Sequence, residues 1–499
     1  MADTMMPPPP PATASGTARE EYERLGQKKL TLVDVLAQSV GFMGPVFVAA
    51  FIIPLVIGFN FSGRGAGIST PLAVLLAGAG TFALGWIVAQ YAKRIHAAGS
   101  LYDYVSAGLG RTVGAGAGWL YYGGTIILTT GLGLLIGGYV HDNLWPVLFD
   151  AESPLDVWVW DVIFALGLFV VLFLGVQIST RVQLTLALIS IAVLLTFFVT
   201  VIADLGADND FGVVFDPSPE GGFSGILFGV LYGVLAFVGF ETAANLAEET
   251  AEPKRSIPRA VLGAVLIVAV FYLIAAYVEV AGFGFDLSVI LDPAVASAPL
   301  FALADPSSQF GSDFWLKIVL VVVFLDMLAV YIGAAVASTH GVFALARDRR
   351  LPAMAAGVSR RYGTPVGAIA LLMVVQAVLI VVSEANDTLL ALPDFPHYYS
   401  VFVWCATFGG FALLVVYLLM SIGAFREVAN NPNKAGLVIA AILGIAITAA
   451  GIWGSFYKVP SPTLIAPWSA LIWFAVGIVY MLAVKGRAPA SEALSELRG

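Results

Sequence analysis

The chain has 499 residues, of which 59% are hydrophobic and 11% charged, with a mean hydropathy of +0.92, whereas a soluble globular domain carries roughly 25% charged residues. A net charge of −9 argues against a nucleic-acid partner, and the single cysteine, Cys405, excludes a disulfide framework and a cysteine-based metal cluster. What remains is a polytopic membrane protein.

Residues 1–30 open with MADTMMPPPPPATASGTAREEYERLGQKK, rich in proline, alanine and small polar residues. The stretch lacks the apolar core of a signal peptide and the apolar surface to fold alone, so it reads as a disordered cytoplasmic leader. Apolar runs then follow at about 34–57, 71–92, 113–139, 160–176, 183–203, 223–247, 259–282, 318–345, 365–383, 398–424, 435–455 and 465–484. Each approaches or exceeds the roughly 20 residues that cross a bilayer core, which predicts twelve spans. With the N-terminus inside, alternation along these spans puts 21 of the 24 lysines and arginines on the cytoplasmic side and leaves outside only Arg64, Lys317 and Lys458. That split predicts a multi-pass protein of the cytoplasmic (inner) membrane with both termini cytoplasmic and the acidic 204–220 loop outside.

Two spans carry interruptions. Span 1 holds Gly41-Phe42-Met43-Gly44-Pro45, and proline removes an amide donor and opens a helix. Span 6 holds Gly225, Gly229, Gly233 and Gly239, followed by Glu241. A carboxylate at that depth costs on the order of 2.5–3.5 kcal/mol, so it needs a partner or a job. Interrupted helices at matching positions of two oppositely oriented halves are the pattern of an inverted-repeat transporter whose site lies between the breaks. Asp326 and His340 add ionisable groups within span 8, while Glu279 and Asp161 fall near span ends and read as interfacial. No catalytic triad, phosphate loop or metal cluster is visible, so the chain does not read as an enzyme and no cofactor is expected.

Four stretches point to a family: AQYAKRIHAAGSLYDYVSAGLG after span 2, AFVGFETAANLAEETAEPKRSIPRA in span 6, FALARDRRLP after span 8 and YLLMSIGAF at the end of span 10. Together they resemble the signatures of the amino acid–polyamine–organocation permeases. The resemblance implies an all-α polytopic membrane protein of 12 transmembrane helices. These form a LeuT-like five-plus-five inverted repeat with broken helices 1 and 6, plus helices 11 and 12. On this chain the transport core would cover 31–425, with repeats at about 31–205 and 221–425, then helices 11 and 12 over 426–485 and a cytoplasmic tail at 486–499. It implies a secondary transporter of amino acids working by alternating access, with a polyamine or other carboxylate-free amine carrier as the alternative. A non-transporting sensor or a channel is disfavoured, because neither tail is long enough for a sensor domain and channels lack paired broken helices.

Family positions carry over residue by residue. The helix 1 break of the family usually reads Gly-Ser-Gly or Gly-x-Gly, and its free amides hold the substrate carboxylate; the matching positions here are Gly44, Pro45 and Val46. Proline cannot donate and valine crowds the backbone, which shifts carboxylate capture toward Phe47 and leaves carbonyls from Gly41 to Met43 open to an ammonium. Phe237, Val238 and Glu241 match pocket or gating positions of helix 6, and Leu235 stands where arginine–agmatine antiporters hold a gating tryptophan. Tyr121 matches a helix 3 tyrosine close to the helix 6 carboxylate. For the coupling ion, Ser190 occupies the helix 5 position where some proton-coupled members carry a lysine. Ser338 and Thr339 supply adjacent hydroxyls that, with carbonyls near Gly41 and Gly44, resemble a sodium site. Sodium, ion-free exchange, and a proton carried by Glu241, Asp326 or His340 all stay open, as does the oligomeric state.

Overall fold

Thr31 starts the first membrane helix through a reciprocal cap. Its backbone N–H donates to Asp34 Oδ2 at 2.8 Å, and its hydroxyl accepts from the Asp34 N–H at 3.4 Å. The helix, α1a (Leu32–Met43), stops at Gly44, which adopts φ +55°, and resumes as α1b (Pro45–Phe51) with proline at its first position. A Cβ on residue 44 would lie 2.2 Å from Val330 Cγ2. Both the left-handed turn and the close approach therefore call for glycine.

The computed structural model describes residues 30–217, 222–359, 361–393 and 395–484. The tails expected at 1–30 and 486–499 lie outside them, Leu30 excepted. After α1 come α2 (Thr70–Ala92), α3 (Arg111–Tyr139), α4 (Val157–Leu174), α5 (Val176–Leu205), α6 (Gly222–Leu235) and α7 (Pro253–Ala281). The chain continues with α8 (Asp313–Arg347), α9 (Val366–Ala385), α10 (His397–Glu427), α11 (Lys434–Gly454) and α12 (Ile465–Ala483). Among the described residues there is no β-strand beyond one isolated bridge, Leu30 to Thr250. Among the described residues, eleven helices are long and apolar enough to cross a bilayer, and α6 is a shorter apolar helix.

The sixth apolar run, expected over 223–247, thus differs from the others. It is α-helical only to Leu235 and then proceeds through turns to a 3₁₀ segment, Thr242–Leu246. The turn is set at Gly239, φ +108°, where an added Cβ would meet Phe42 Cγ at 2.8 Å. Hydropathy cannot register this, because an unwound segment stays as apolar as a helix.

Packing separates the spans into a core and a lipid-facing shell. α3 packs on α10 and α8, α2 on α7, and α5 on α8. Along its most apolar window α1 is 83% buried, against 17% for α4, whose Leu166 and Val170 face outward. Glu279, expected at an interface, is instead wholly buried in α7. Its neighbours Val278 and Val280 are equally enclosed, so the end of α7 lies within the bundle.

The two ends of the described chain meet one face. Leu30 pairs with the segment after helix 6 through Leu30 N–H to the Glu249 carbonyl (2.7 Å) and Ala251 N–H to the Leu30 carbonyl (3.0 Å), while Val484 accepts from Arg350. The charge pattern of the sequence predicts that this face is cytoplasmic. Asp210, exposed in the opposite loop, tests that assignment, since Cys405 is buried and gives little background. With Asp210→Cys, an impermeant maleimide is expected to label intact cells; labelling that requires permeabilisation would reverse the topology.

Candidate substrate site

The breaks of helices 1 and 6 lie against each other, and side chains answer the backbone groups they release. Ser39 donates its hydroxyl to the Phe240 carbonyl at 2.8 Å and accepts the Ala243 N–H at 3.1 Å. Tyr272 of α7, fully buried, directs its hydroxyl at the Met43 carbonyl (3.0 Å) and the Ala236 carbonyl (2.8 Å), one from each break. Its ring packs edge-on against Phe237, centroids 5.1 Å apart. At the start of α1b, the Val46 and Phe47 N–H groups both donate to Asp326 Oδ2 of α8, each at 2.8 Å.

Below the breaks, Glu241 is fully buried and both its oxygens are taken. Tyr121 of α3 donates to Oε1 and Tyr417 of α10 to Oε2, each at 2.7 Å. A carboxylate at this depth is thereby given two hydroxyl donors in place of water. The three residues tie helices 3, 6 and 10 together.

Toward the face that carries both chain ends, a belt of polar contacts closes the bundle. Arg347 holds Glu248 through two hydrogen bonds of 2.9 and 2.8 Å, and Glu248 also accepts the Ala98 N–H at 2.8 Å. His340 Nε2 lies 3.0 Å from Glu249 Oε1, and Tyr102 donates to Asp348 Oδ2 at 3.0 Å. Outside the spanning helix, the Asp348 carboxyl is pushed up to about 6 by burial, against the pull of the Arg347 guanidinium. Every one of the four stretches singled out in the sequence contributes: Ala98 and Tyr102, Glu241 and Glu248, Arg347 and Asp348, and Tyr417.

The remaining sequence candidates fall as follows. Gly44 and Val46 gather at Asp326, Pro45 faces a cleft with Ile191 and Leu195 of α5 and Phe271 of α7, and Met43 and Phe237 meet at Tyr272. Leu235 and Val238 stay partly accessible, Leu235 facing Gly410 of α10. Gly41 lies against Gln183 of α5, which donates to Gln38 at 3.2 Å, while Gln38 donates to the Gly333 carbonyl at 2.9 Å. Ser190 sits seven residues further along α5, about 10 Å at helical rise, and its hydroxyl returns to the Leu186 carbonyl at 2.9 Å. The Ser338 and Thr339 hydroxyls likewise return to the Ala335 carbonyl, at 3.0 and 2.8 Å. Helix 8 meets Gly44 at Val330, eight residues from Ser338 or about 12 Å of rise. Helix 8 also meets Phe42 at Gly333, five residues from Ser338, and both hydroxyls are spent on carbonyls of their own helix.

Tyr272, Tyr417, Ser39, Gln38 and Gln183 were missed as site residues. Tyr417 opens the span 10 stretch, and Asp326 carried the signal of an intramembrane carboxylate. Nothing in the pattern around Tyr272 sets it apart from other membrane tyrosines.

The profile of the amino acid permease family matches residues 48–430. The chain belongs to the amino acid permease family. It is 26% identical over 336 residues to the branched-chain amino acid permease of Lactococcus lactis subsp. cremoris, covering 65% of this chain and 69% of that one. It is 28% identical over 361 residues to the vacuolar cationic amino acid transporter 4 of Arabidopsis thaliana, covering 68% of this chain and 56% of the relative. With the methylthioribose transporter of Bacillus subtilis it shares 24% over 313 residues, 60% and 64% of the two chains. In fold it is similar to a crystallised variant of the manganese transporter of Eremococcus coleocola, with a TM-score of 0.55 and 14% identity over 98% of this chain and 97% of that one.

The hydrogen bonds at the breaks generate a stability test. Tyr272→Phe removes the single hydroxyl hydrogen that two buried carbonyls share, a loss on the order of 1–3 kcal/mol, and is expected to lower the melting temperature of the purified protein measurably. Ser338→Ala, which removes only a bond within one helix, is expected to melt close to wild type. Equal melting of the two variants would contradict the role given to Tyr272.

Proposed function

We propose that this permease is a secondary active transporter of amino acids and related small amines, working by alternating access around the breaks of helices 1 and 6. The observation that carries the reading is the knit of those breaks: broken helices inside a bilayer persist only where protein or a wet cavity satisfies the freed backbone, and here residues from α7 and α8 are devoted to it. Half-helix ends then present fixed dipoles at mid-depth, where a small polar solute is recognised without water. Relatives that are permeases and transporters support a carrier over an enzyme, and no covalent chemistry is assigned to the site. Glu241, with Tyr121 and Tyr417, is read as the gate that couples helices 3, 6 and 10 to occupancy, and the Arg347–Glu248 belt as the closure on the inner face.

The test is uptake into liposomes holding the full-length protein, with labelled amino acids and amines competed by unlabelled ones. Saturable uptake is expected, and none at all would remove the transporter reading. Glu241→Gln keeps an acceptor but loses charge and one symmetric oxygen; it is expected to cut uptake at least about tenfold, ~1.4 kcal/mol in barrier terms, at unchanged protein abundance. Tyr417→Phe is expected to act in the same direction, because one of the two donors to the carboxylate is lost. Unaltered kinetics in both would take Glu241 out of the mechanism. Repeating the uptake with a sodium gradient, a proton gradient and neither identifies the driving ion, and full activity with sodium replaced by choline would eliminate sodium.

A further inference from the structure

The donors that α1b offers at its first turn are all consumed by the protein itself. Pro45 has no N–H, the Val46 and Phe47 N–H groups both donate to Asp326 Oδ2, and the Val48 N–H donates to the Gly44 carbonyl at 2.9 Å. The resemblance of the sequence to its family assigns this place to the carboxylate of the substrate. Here a carboxylate built into α8 holds it.

The other half of that carboxyl group is unanswered. Asp326 is wholly buried, and its Oδ1 accepts no hydrogen bond from any described residue. No basic side chain forms an ion pair with it among the described residues. Glu241, the other carboxylate of the site, has both oxygens engaged by tyrosine hydroxyls and no oxygen left over. A buried carboxylate oxygen with no donor is stabilised by a cation brought to it.

We propose that Asp326 stands in for the carboxylate that the substrate lacks: it caps α1b with Oδ2 and presents Oδ1 to the ammonium group of a carboxylate-free amine. The chain then prefers primary amines and diamines to the α-amino acids from which they differ by one carboxylate. An α-amino acid meets two obstacles at this site. The amides that would bind its carboxylate are occupied, and its negative charge would lie beside that of Asp326 where water cannot screen the repulsion. The inference rests on the transporter reading and narrows its substrate class.

The test uses three matched pairs, isopentylamine with leucine, agmatine with arginine and cadaverine with lysine, titrated against the purified full-length protein with thermal stabilisation as the readout. In at least one pair the amine is expected to half-saturate at a concentration at least about tenfold below its amino acid, ~1.4 kcal/mol of preference. Asp326→Asn retains an acceptor for the two amides but no charge, and is expected to weaken that amine at least about tenfold. Asp326→Ala frees the amides and is expected to narrow or invert the preference. Should either variant fail to fold, the wild-type ranking decides by itself. Amino acids binding as well as or better than their amines in every pair would overturn the proposal, as would no stabilisation by any of the three amines. Amine binding unchanged in a folded Asp326→Asn protein would overturn it too. So would stabilisation by sodium alone or by acid alone that is lost in Asp326→Asn, because the carboxylate would then serve a coupling ion. Uptake of leucine, arginine or lysine without amine preference would sink this proposal and leave the transporter reading standing. Amine binding without uptake of any of the six compounds would do the reverse.

Discussion

In hydrocarbon every backbone N–H and C=O freed from a helix must find a partner within the protein, at several kcal/mol for each failure. Two helices of this bundle are interrupted at mid-depth, and the rest of the architecture is arranged to answer them. The amides of α1b go to Asp326, the last carbonyl of α1a and the first of the helix 6 turn go to Tyr272, and Ser39 serves a carbonyl and an amide across the gap. Neither break is self-sufficient. Removing α7 or α8 would leave both the unwound segments and their glycines without a reason to stay open, so the interruptions belong to the assembled bundle and not to the helices that contain them.

Two layers of polar contacts result, with different physical characters. The upper layer is made of neutral backbone groups and one carboxylate, at short range and fully enclosed. The lower is a belt of side-chain pairs, Arg347 with Glu248 and His340 with Glu249, whose members are themselves largely buried. Both layers are enclosed, so parting either one uncovers polar groups at a cost that a solvent-exposed ion pair does not carry. Glu241 belongs to the helix 6 break itself, between Phe240 and Ala243, and is held by tyrosines of α3 and α10.

The spans were legible because hydropathy over a membrane thickness is a strong signal, and the helix 1 break because Gly44 followed by Pro45 changes both the allowed φ and the donor count. The end of α6 at Leu235 was not legible, since the residues that unwind are as apolar as those that coil, and only the packing of Gly239 on Phe42 explains where the turn falls. The partners that answer the breaks lie far away in the chain: Tyr272 is 229 residues from Met43, and Asp326 is 280 from Val46. No local pattern encodes such pairings. Register between helices was equally out of reach. Ser338 and Thr339 look like a ligand pair by sequence, while the stretch of α8 that meets the break runs from Asp326 through Val330 to Gly333, an approach set by close contact with Gly44 and Phe42.

The acidic groups of the bundle show how partner count divides one chemical group among different tasks. Glu241 has a tyrosine donor on each oxygen and so links three helices through its carboxyl group. Asp326 has two donors on one oxygen and none on the other, which fixes its position against the backbone and leaves one buried oxygen unanswered. On the readings proposed above, recognition of a cation falls to helix 8, while the carboxylate that stands out in the sequence, in a glycine-rich run with a phenol matched to it, serves the gate. The residue with the weaker sequence signal carries the stronger chemical consequence, because an acid's role in a low-dielectric interior is set by which of its oxygens the fold has already satisfied.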